Sequence, residues 1–410
     1  MRIAMLARVV YPLHGYGGIE RHVFHLSTHL ARLGVEIELW VQDAPPGREA
    51  DLGPGIRLHC LRYDRTSPFL RPNSILGRQI SYPLYSRAVG REAARWVRQG
   101  QVDLVHAQGL AACGFGWLRR HDAALRAAAP MIMNPHGMEE YKAPSPAKRL
   151  AYAPFRAMYS YGARSADRVI ATDACTQGEV PRYLGVDPAR VVVLPSAIDS
   201  AECLAPLDAA LQRSLRGRLG LEGAPLVLLS VSRLERNKGF HLLAEALAGL
   251  KERLPAGWRW VVVGEGKERP ALEAQARQGG IASHTHFAGR LDDAGLHNLY
   301  EVVDLLVHPT LYEGSSLVVL EGMIHRRPVL ATAAGGIPDK LFDRRNGRLV
   351  PPGDVPALQE ALLWLIARRR EWPEMGEEGV RIVRQRFDWP VVARATLEVY
   401  QQMIAESPRH

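Results

Sequence analysis

Strand-length apolar runs alternate with amphipathic helical stretches along almost the whole chain, and the alternation begins afresh near residue 225. The first half reads as strand "RIAMLA", helix "GIERHVFHLSTHLARLG" and strand "VEIELWV", followed by "DLVHAQ", "PMIMNPH", "RVIAT" and "RVVVLPSAID". After a polar, Ala-rich stretch near residues 200–223, "PLVLLSVSRL" leads to "GFHLLAEALAGLKERL", "WRWVVVGEG" to "KERPALEAQARQ", and "THFAGRL" to "DAGLHNLYEVV". "DLLVHPT" then leads to a helix carrying Glu321, and "RPVLATAAGG" and "GRLVPPGD" complete the series. This alternation is the pattern of parallel sheets covered by helices on both faces. A chain of 410 residues exceeds one ordinary core. The expected fold class is therefore α/β, with two doubly wound, Rossmann-like domains over residues 1–200 and 201–390 facing each other across a cleft.

Composition narrows the class further. No window approaches the roughly 20 apolar residues of a membrane span, and "MRIAMLARVVYP" reads as a first buried strand rather than a signal peptide. A cytoplasmic location is expected. Cys60, Cys113, Cys175 and Cys203 lie far apart with no C-x-x-C pair, which argues against a zinc site or a disulfide framework; small core residues are expected. The net charge of +9 is uneven: residues 1–200 hold 25 Lys or Arg against 17 Asp or Glu, and residues 201–410 hold 27 against 26. The basic excess concentrates in "RPNSILGRQISYPLYSRAVGREAARWVR" and "YKAPSPAKRLAYAPFRAMYSYGAR", where cations alternate with aromatic and aliphatic residues. Such stretches serve either as solvated faces or as an interfacial surface lying on anionic lipid. Neither belongs to a nucleic-acid-binding motif, so no nucleic-acid partner is expected.

Ligands of doubly wound sheets bind beyond the carboxyl ends of the strands. That rule selects Gly15–Gly18, His136, Ser230–Lys238, Gly264–Gly266, Gly289–Leu291, Glu313–Ser316, Gly335 and Gly336. In "GYGGIERHV", glycines at a strand-to-helix turn let the backbone approach a phosphate near a helix N-terminus. A tight turn alone also explains them, and Glu20 breaks the G-x-G-x-x-G dinucleotide fingerprint. In "SVSRLERNKGF", Arg233 and Lys238 stand five residues apart on a loop after a strand, a guanidinium and an ammonium suited to a diphosphate. Without a metal, such a pair neutralises a leaving diphosphate, and the chain contains no Asp-x-Asp of the kind that carries a divalent ion beside a nucleotide sugar. No metal and no cofactor are expected. In "HPTLYEGSSLVVLEGM", Glu313 and Glu321 stand eight residues apart among apolar neighbours, which places at least one of them in a cleft.

The order "GGIE", "NPHG", "SVSRLERNKG", "VVVGEG", "FAGRL", "HPTLYEGSSLVVLEGMIHRRPVLATAAGGIPD" and "NGRLVPPGD" resembles the family-four (group 1) retaining glycosyltransferases of the GT-B fold over nearly the full length. The resemblance implies a nucleotide-sugar donor held by the second domain and an acceptor held by the first, with a C-terminal helix over 391–410 packing back on the first. It gives Glu321 the ribose hydroxyls, Glu313 the hexose, and Gly314, Ser315, Ser316 and Leu317 the sugar hydroxyls or diphosphate through their amides. Arg233 and Lys238 would hold the diphosphate, with Gly17 and Gly18 closing over it. Gly264 and Gly266 would line the donor pocket, Arg290 and Leu291 would border the base, and His136 would reach the transferred sugar, closure bringing it towards Glu313. His136 and Glu313 are thus the expected catalytic residues. Ser315 and Ser316 depart from the aromatic and Gly frequent in the family, "LPSAID" lacks its Asn-Gly, and Asp339 replaces the usual Glu.

The implied activity is metal-independent transfer of a hexose, with retention, from a nucleotide sugar (UDP first, GDP second) to a cell-envelope lipid or saccharide, with peripheral membrane contact. A nucleotide-sugar epimerase of similar build and a non-catalytic nucleotide-sugar binder are the alternatives.

Overall fold

The computed structural model describes residues 1–44, 50–61, 75–138, 141–142 and 145–407, except the side chains of 75 and 76; residues 71–74 and 143–144 of the basic stretches lie outside the described residues. The chain divides into two compact units, Met1–Pro195 with Trp389–His410, and Ser196–Asp388. Each is an α/β unit built on one parallel sheet.

The N-terminal unit carries seven strands: β1 Arg2–Leu6, β2 Glu36–Gln42, β3 Ile56–Leu61, β4 Leu104–Gln108, β5 Met131–Asn134, β6 Arg168–Ala171 and β7 Val191–Val193. They are ordered β3-β2-β1-β4-β5-β6-β7, so the winding reverses between β1 and β4. Residues Ile3–Leu6 are wholly buried because helices cover both faces of the central strand. Ala4, Leu6, Val105, Ala107, Met131 and Val169 meet Phe115 in the core. Strand β3 has no counterpart in the sequence reading. It is an edge strand with one neighbour and only partial burial, so "IRLHCL" lacks the continuous apolar run of its inner partners.

The helix Trp389–Ala405 belongs to this unit, where the Tyr400 hydroxyl bonds His106 Nδ1 and Glu406 pairs with Arg168 at 2.9 Å. Burial lowers the pKa of His106 to about 3, leaving its ring neutral.

The second unit carries six strands: β8 Val227–Val231, β9 Arg259–Val263, β10 Thr285–Gly289, β11 Leu305–His308, β12 Val329–Thr332 and β13 Gly347–Val350. Their order, β10-β9-β8-β11-β12-β13, reverses between β8 and β11. The period of two splits each strand between two apolar layers: Leu229 and Val261 pack with Leu306 and Leu320, whereas Leu228 and Trp260 pack with Leu247 and Leu362.

One expectation fails. Only Cys203 is a core residue, while Cys60 and Cys175 are exposed and Cys113 is half-buried. Cys60 sits on the edge strand β3 and Cys175 in the first turn of the helix Ala174–Leu184, where few neighbours cover them. Among the described residues, no helix is long and apolar enough to cross a membrane.

Candidate active site

The reversal in the second unit is where a doubly wound sheet opens a crevice, and two charged side chains straddle it. Lys238, in the turn after β8, is 8% exposed, and its Nζ lies 2.9 Å from Oε2 of Glu313, in the loop after β11. The approach depends on Gly239. Its φ is +72°, and a Cβ there would stand 1.9 Å from the Pro309 carbonyl oxygen.

Glu313 Oε2 also meets His308 Nε2 at 3.2 Å, and the Gly314 N–H donates to Oε1 at 3.2 Å. Burial would push this carboxyl upward, but the His308 hydrogen bond and the Lys238 charge outweigh it and bring the pKa down to about 2. Gly335, after β12, presses on the same loop: its φ is +54°, and a Cβ would lie 2.0 Å from the Glu313 carbonyl oxygen. The Gly336 N–H donates to the Gly314 carbonyl at 2.9 Å.

The helix Leu317–Ile324 begins at Ser316 without a side-chain cap, since Ser316 Oγ instead stands 3.4 Å from His308 Nε2. Its first-turn amides therefore lack the usual side-chain acceptor at a helix end that favours anions. Ser315 receives a hydrogen bond of 2.7 Å from Nζ of the wholly buried Lys340. One turn into the helix, Glu321 Oε2 accepts a 3.2 Å hydrogen bond from the Tyr300 hydroxyl, and Tyr300 in turn stacks on His325 with centroids 5.1 Å apart.

The remaining predicted residues divide by position. Arg233 is exposed and pairs with Glu235 at 2.7 Å instead of converging on Glu313. Gly264 and Gly266 serve backbone packing, since added Cβ atoms would lie 1.9 Å from the Ser232 oxygen and 2.3 Å from the Leu234 oxygen. Arg290 and Leu291 follow β10, with Leu291 against the core and Arg290 exposed.

In the N-terminal unit, Gly17 and Gly18 are exposed at the start of the helix Gly18–Arg32. His136 follows β5 with φ +60°, a conformation few non-Gly residues adopt. Its backbone N–H donates to Asn134 Oδ1 at 2.9 Å, while its buried Nε2 has no partner. Burial, with His106 adding to it, lowers its pKa to about 3. His136 lines a cavity of about 290 Å³ that opens at the β1/β4 reversal and also touches Arg8 and Gln108.

The sequence reading missed His308, Tyr300, Lys340, Arg8 and Gln108. His308 and Gln108 were findable as the last residues of strands β11 and β4, the positions that point ligandward in such sheets. Tyr300 and Lys340 act through contacts that no local pattern announces.

Two doubly wound units with charged loops at their strand ends are the build of the GT-B fold, and comparison with known proteins supplies the class, glycosyltransferase. A family model described as Glycosyl transferases group 1 matches residues 225–368, and one described as Glycosyltransferase Family 4 matches residues 16–202. The D-inositol 3-phosphate glycosyltransferase 2 of Catenulispora acidiphila is 28% identical, over 99% of this chain and 96% of its own. Sucrose-phosphate synthase from Thermosynechococcus elongatus has a TM-score of 0.78 at 21% identity, covering 99% of this chain and 100% of its own. Anabaena HepE, solved in complex with UDP, has a TM-score of 0.71 at 19% identity, covering 98% and 100%. The chain belongs to the group 1, family 4 glycosyltransferases.

Proposed function

We propose that this enzyme transfers a hexose, with retention and without a metal, from a nucleotide sugar to a cell-envelope lipid or saccharide. The observation that carries the reading is the Lys238–Glu313 contact at the β8/β11 reversal, with Glu321 one helical turn beyond the uncapped start of Leu317–Ile324. Lys238 and Arg233 neutralise the diphosphate, assisted by the amides of Gly314–Leu317, with Gly17 and Gly18 approaching it as backbone. Glu321 accepts from the ribose hydroxyls, held in orientation by Tyr300. Glu313, ionised at working pH, accepts from hexose hydroxyls, and Arg290 and Leu291 border the base. UDP is the first donor to test, since HepE was solved with UDP, and GDP the second.

The donor's own phosphate takes the acceptor hydroxyl's proton as the anomeric C–O bond breaks through an oxocarbenium-like state. The protein contributes position and electrostatic support for the departing diphosphate. His136, neutral and with Nε2 unpartnered, serves the transferred sugar as a hydrogen-bond partner and not as a charge. Nuclear magnetic resonance of the product tests retention: the donor's anomeric configuration is kept, and an inverted linkage contradicts the mechanism.

The basic N-terminal unit supports peripheral contact with anionic membrane. Leu150 is 78% exposed beside Lys148 and Arg149 in the helix Pro146–Ala151, and a 2.7 Å bond from Gln79 to the Ala151 carbonyl joins it to the helix bearing exposed Ile80 and Leu84. Sedimentation with phosphatidylserine vesicles, lost in Leu150→Glu, tests that contact.

A further inference from the structure

Lys340 is wholly buried, an unusual place for an ammonium, and it lies in the unit that carries the donor-side loops. We infer that Lys340 is a positioning residue for the donor: acting through the Ser315 hydroxyl, it holds the loop that follows β11 and sets a positive charge behind it for the diphosphate. The inference rests on the transferase reading above and adds a residue to that same site.

The backbone fixes where the Lys340 side chain starts. Lys340 closes the turn Ile337–Asp339 after β12, its N–H donating to the Ile337 carbonyl at 3.0 Å and its own carbonyl accepting from Asn346 Nδ2 at 3.0 Å. From there Nζ lies over the Phe387 ring, 5.8 Å from its centroid, and donates to Ser315 Oγ at 2.7 Å. Gly335 and Gly336, in the same connection after β12, already press on Glu313 and bond Gly314 through the backbone. One connection therefore grips three successive residues of the donor loop. Lys340 is the member of that grip that brings a charge.

Charge is what separates this tether from a packing contact. Burying an ammonium is costly, and a neutral donor would hold Ser315 as well. The surrounding charges give the ammonium its purpose. Glu313 is ionised on the gripped loop, and Glu321 stands in the helix that follows, where burial first and the Glu321 charge second push the Tyr300 phenol well above its ordinary range. Two carboxylates beside a diphosphate repel it, and Lys238 shares its charge with one of them. Arg233 pairs with Glu235 at the surface. A cation behind Ser315 offsets that repulsion from the interior, where the field of a charge is screened less than in water. It acts at the start of the helix Leu317–Ile324, whose first-turn amides no side chain caps and which favours an anion.

Calorimetric titration of the full chain tests the inference, with UDP and GDP measured against uridine and guanosine and with pyrophosphate as the diphosphate alone. Lys340→Gln keeps an N–H for Ser315 and removes the charge, whereas Ser315→Ala removes the acceptor and keeps the charge. Lys340→Gln should weaken the nucleoside diphosphate and pyrophosphate by about 10-fold and leave the nucleoside within about 2-fold. Its loss of affinity with rising salt should also be shallower than in the parent. Ser315→Ala should give a smaller loss of the same kind, and in that background Lys340→Gln should cost less than in the parent, because the two residues act together. Where Lys340→Gln fails to fold, Ser315→Ala decides by the same comparison of diphosphate with nucleoside. Unchanged diphosphate binding in Lys340→Gln reduces Lys340 to a tether and overturns the inference, as does a loss shared equally by the nucleoside. A parent enzyme that binds no diphosphate overturns the inference and the donor reading together. Charge-dependent diphosphate binding with no nucleotide release from any donor sinks the transferase reading alone.

Discussion

Lys238 Nζ and Glu313 Oε2 lie 2.9 Å apart although 75 residues separate them in the chain. The pair forms because β8 and β11 are neighbours at the reversal of the sheet, so the loops leaving them must meet. Lys238→Met should therefore cost more than one surface charge. It removes the ammonium that bonds a buried carboxylate and the cation proposed to face the diphosphate, and kcat/KM for nucleotide release should fall by about 100-fold or more. A loss below about 3-fold would show that the pair is structural only.

Glu321 makes a distinct prediction because it is assigned to the nucleotide and not to the sugar. Glu321→Ala should weaken free nucleotide and nucleotide sugar together, by about 10-fold each. Tyr300→Phe, which removes only the 3.2 Å bond holding Glu321, should produce a smaller change of the same kind. Unchanged nucleotide affinity in Glu321→Ala would remove the ribose role.

The Glu313 carboxyl supplies a test in pH. Its folded pKa of about 2 lies below the ordinary 4.5, so its contribution to stability is fully present above about pH 5 and is lost as pH falls towards 2. The stability difference between the parent enzyme and Glu313→Gln should be flat from pH 6 to 8 and shrink below pH 4.5, by urea unfolding of each. A difference that grows on acidification would reverse the sign and refute the assigned pairing.

The proposed function gives the charge of the departing diphosphate to protein cations and not to a divalent ion. Turnover should be unchanged by excess chelator. A rate lost on chelation and restored by magnesium or manganese would contradict that assignment.

Much of this was legible in the chain because it depends on local pattern. The parallel sheets announce themselves in runs such as "PLVLLSV" and "WVVVG", whose residues are buried on both faces. Glu313, Lys238 and Glu321 stand out because each follows such a run at a loop or helix start. What escaped is set by distance in sequence. Tyr300 reaches Glu321 from the preceding helix, Lys340 reaches Ser315 across 25 residues, and Gln108 acquires meaning only when His106 and Met5 fix its amide. Arg233 shows the converse. Its spacing from Lys238 suggests a shared anion, yet its nearest carboxylate, Glu235, holds it at the surface.

The central claim is that this chain moves a sugar from a nucleotide to a second molecule. Nucleotide release should be measured from a panel of UDP-, GDP- and ADP-sugars, with and without a lipid and saccharide extract, for the parent enzyme and for Glu321→Ala. The account predicts release from one donor class, dependent on extract and reduced by about 10-fold in the variant at donor concentrations well below KM. Binding of a nucleotide sugar with no release from any donor, or conversion of its sugar without release, would contradict it.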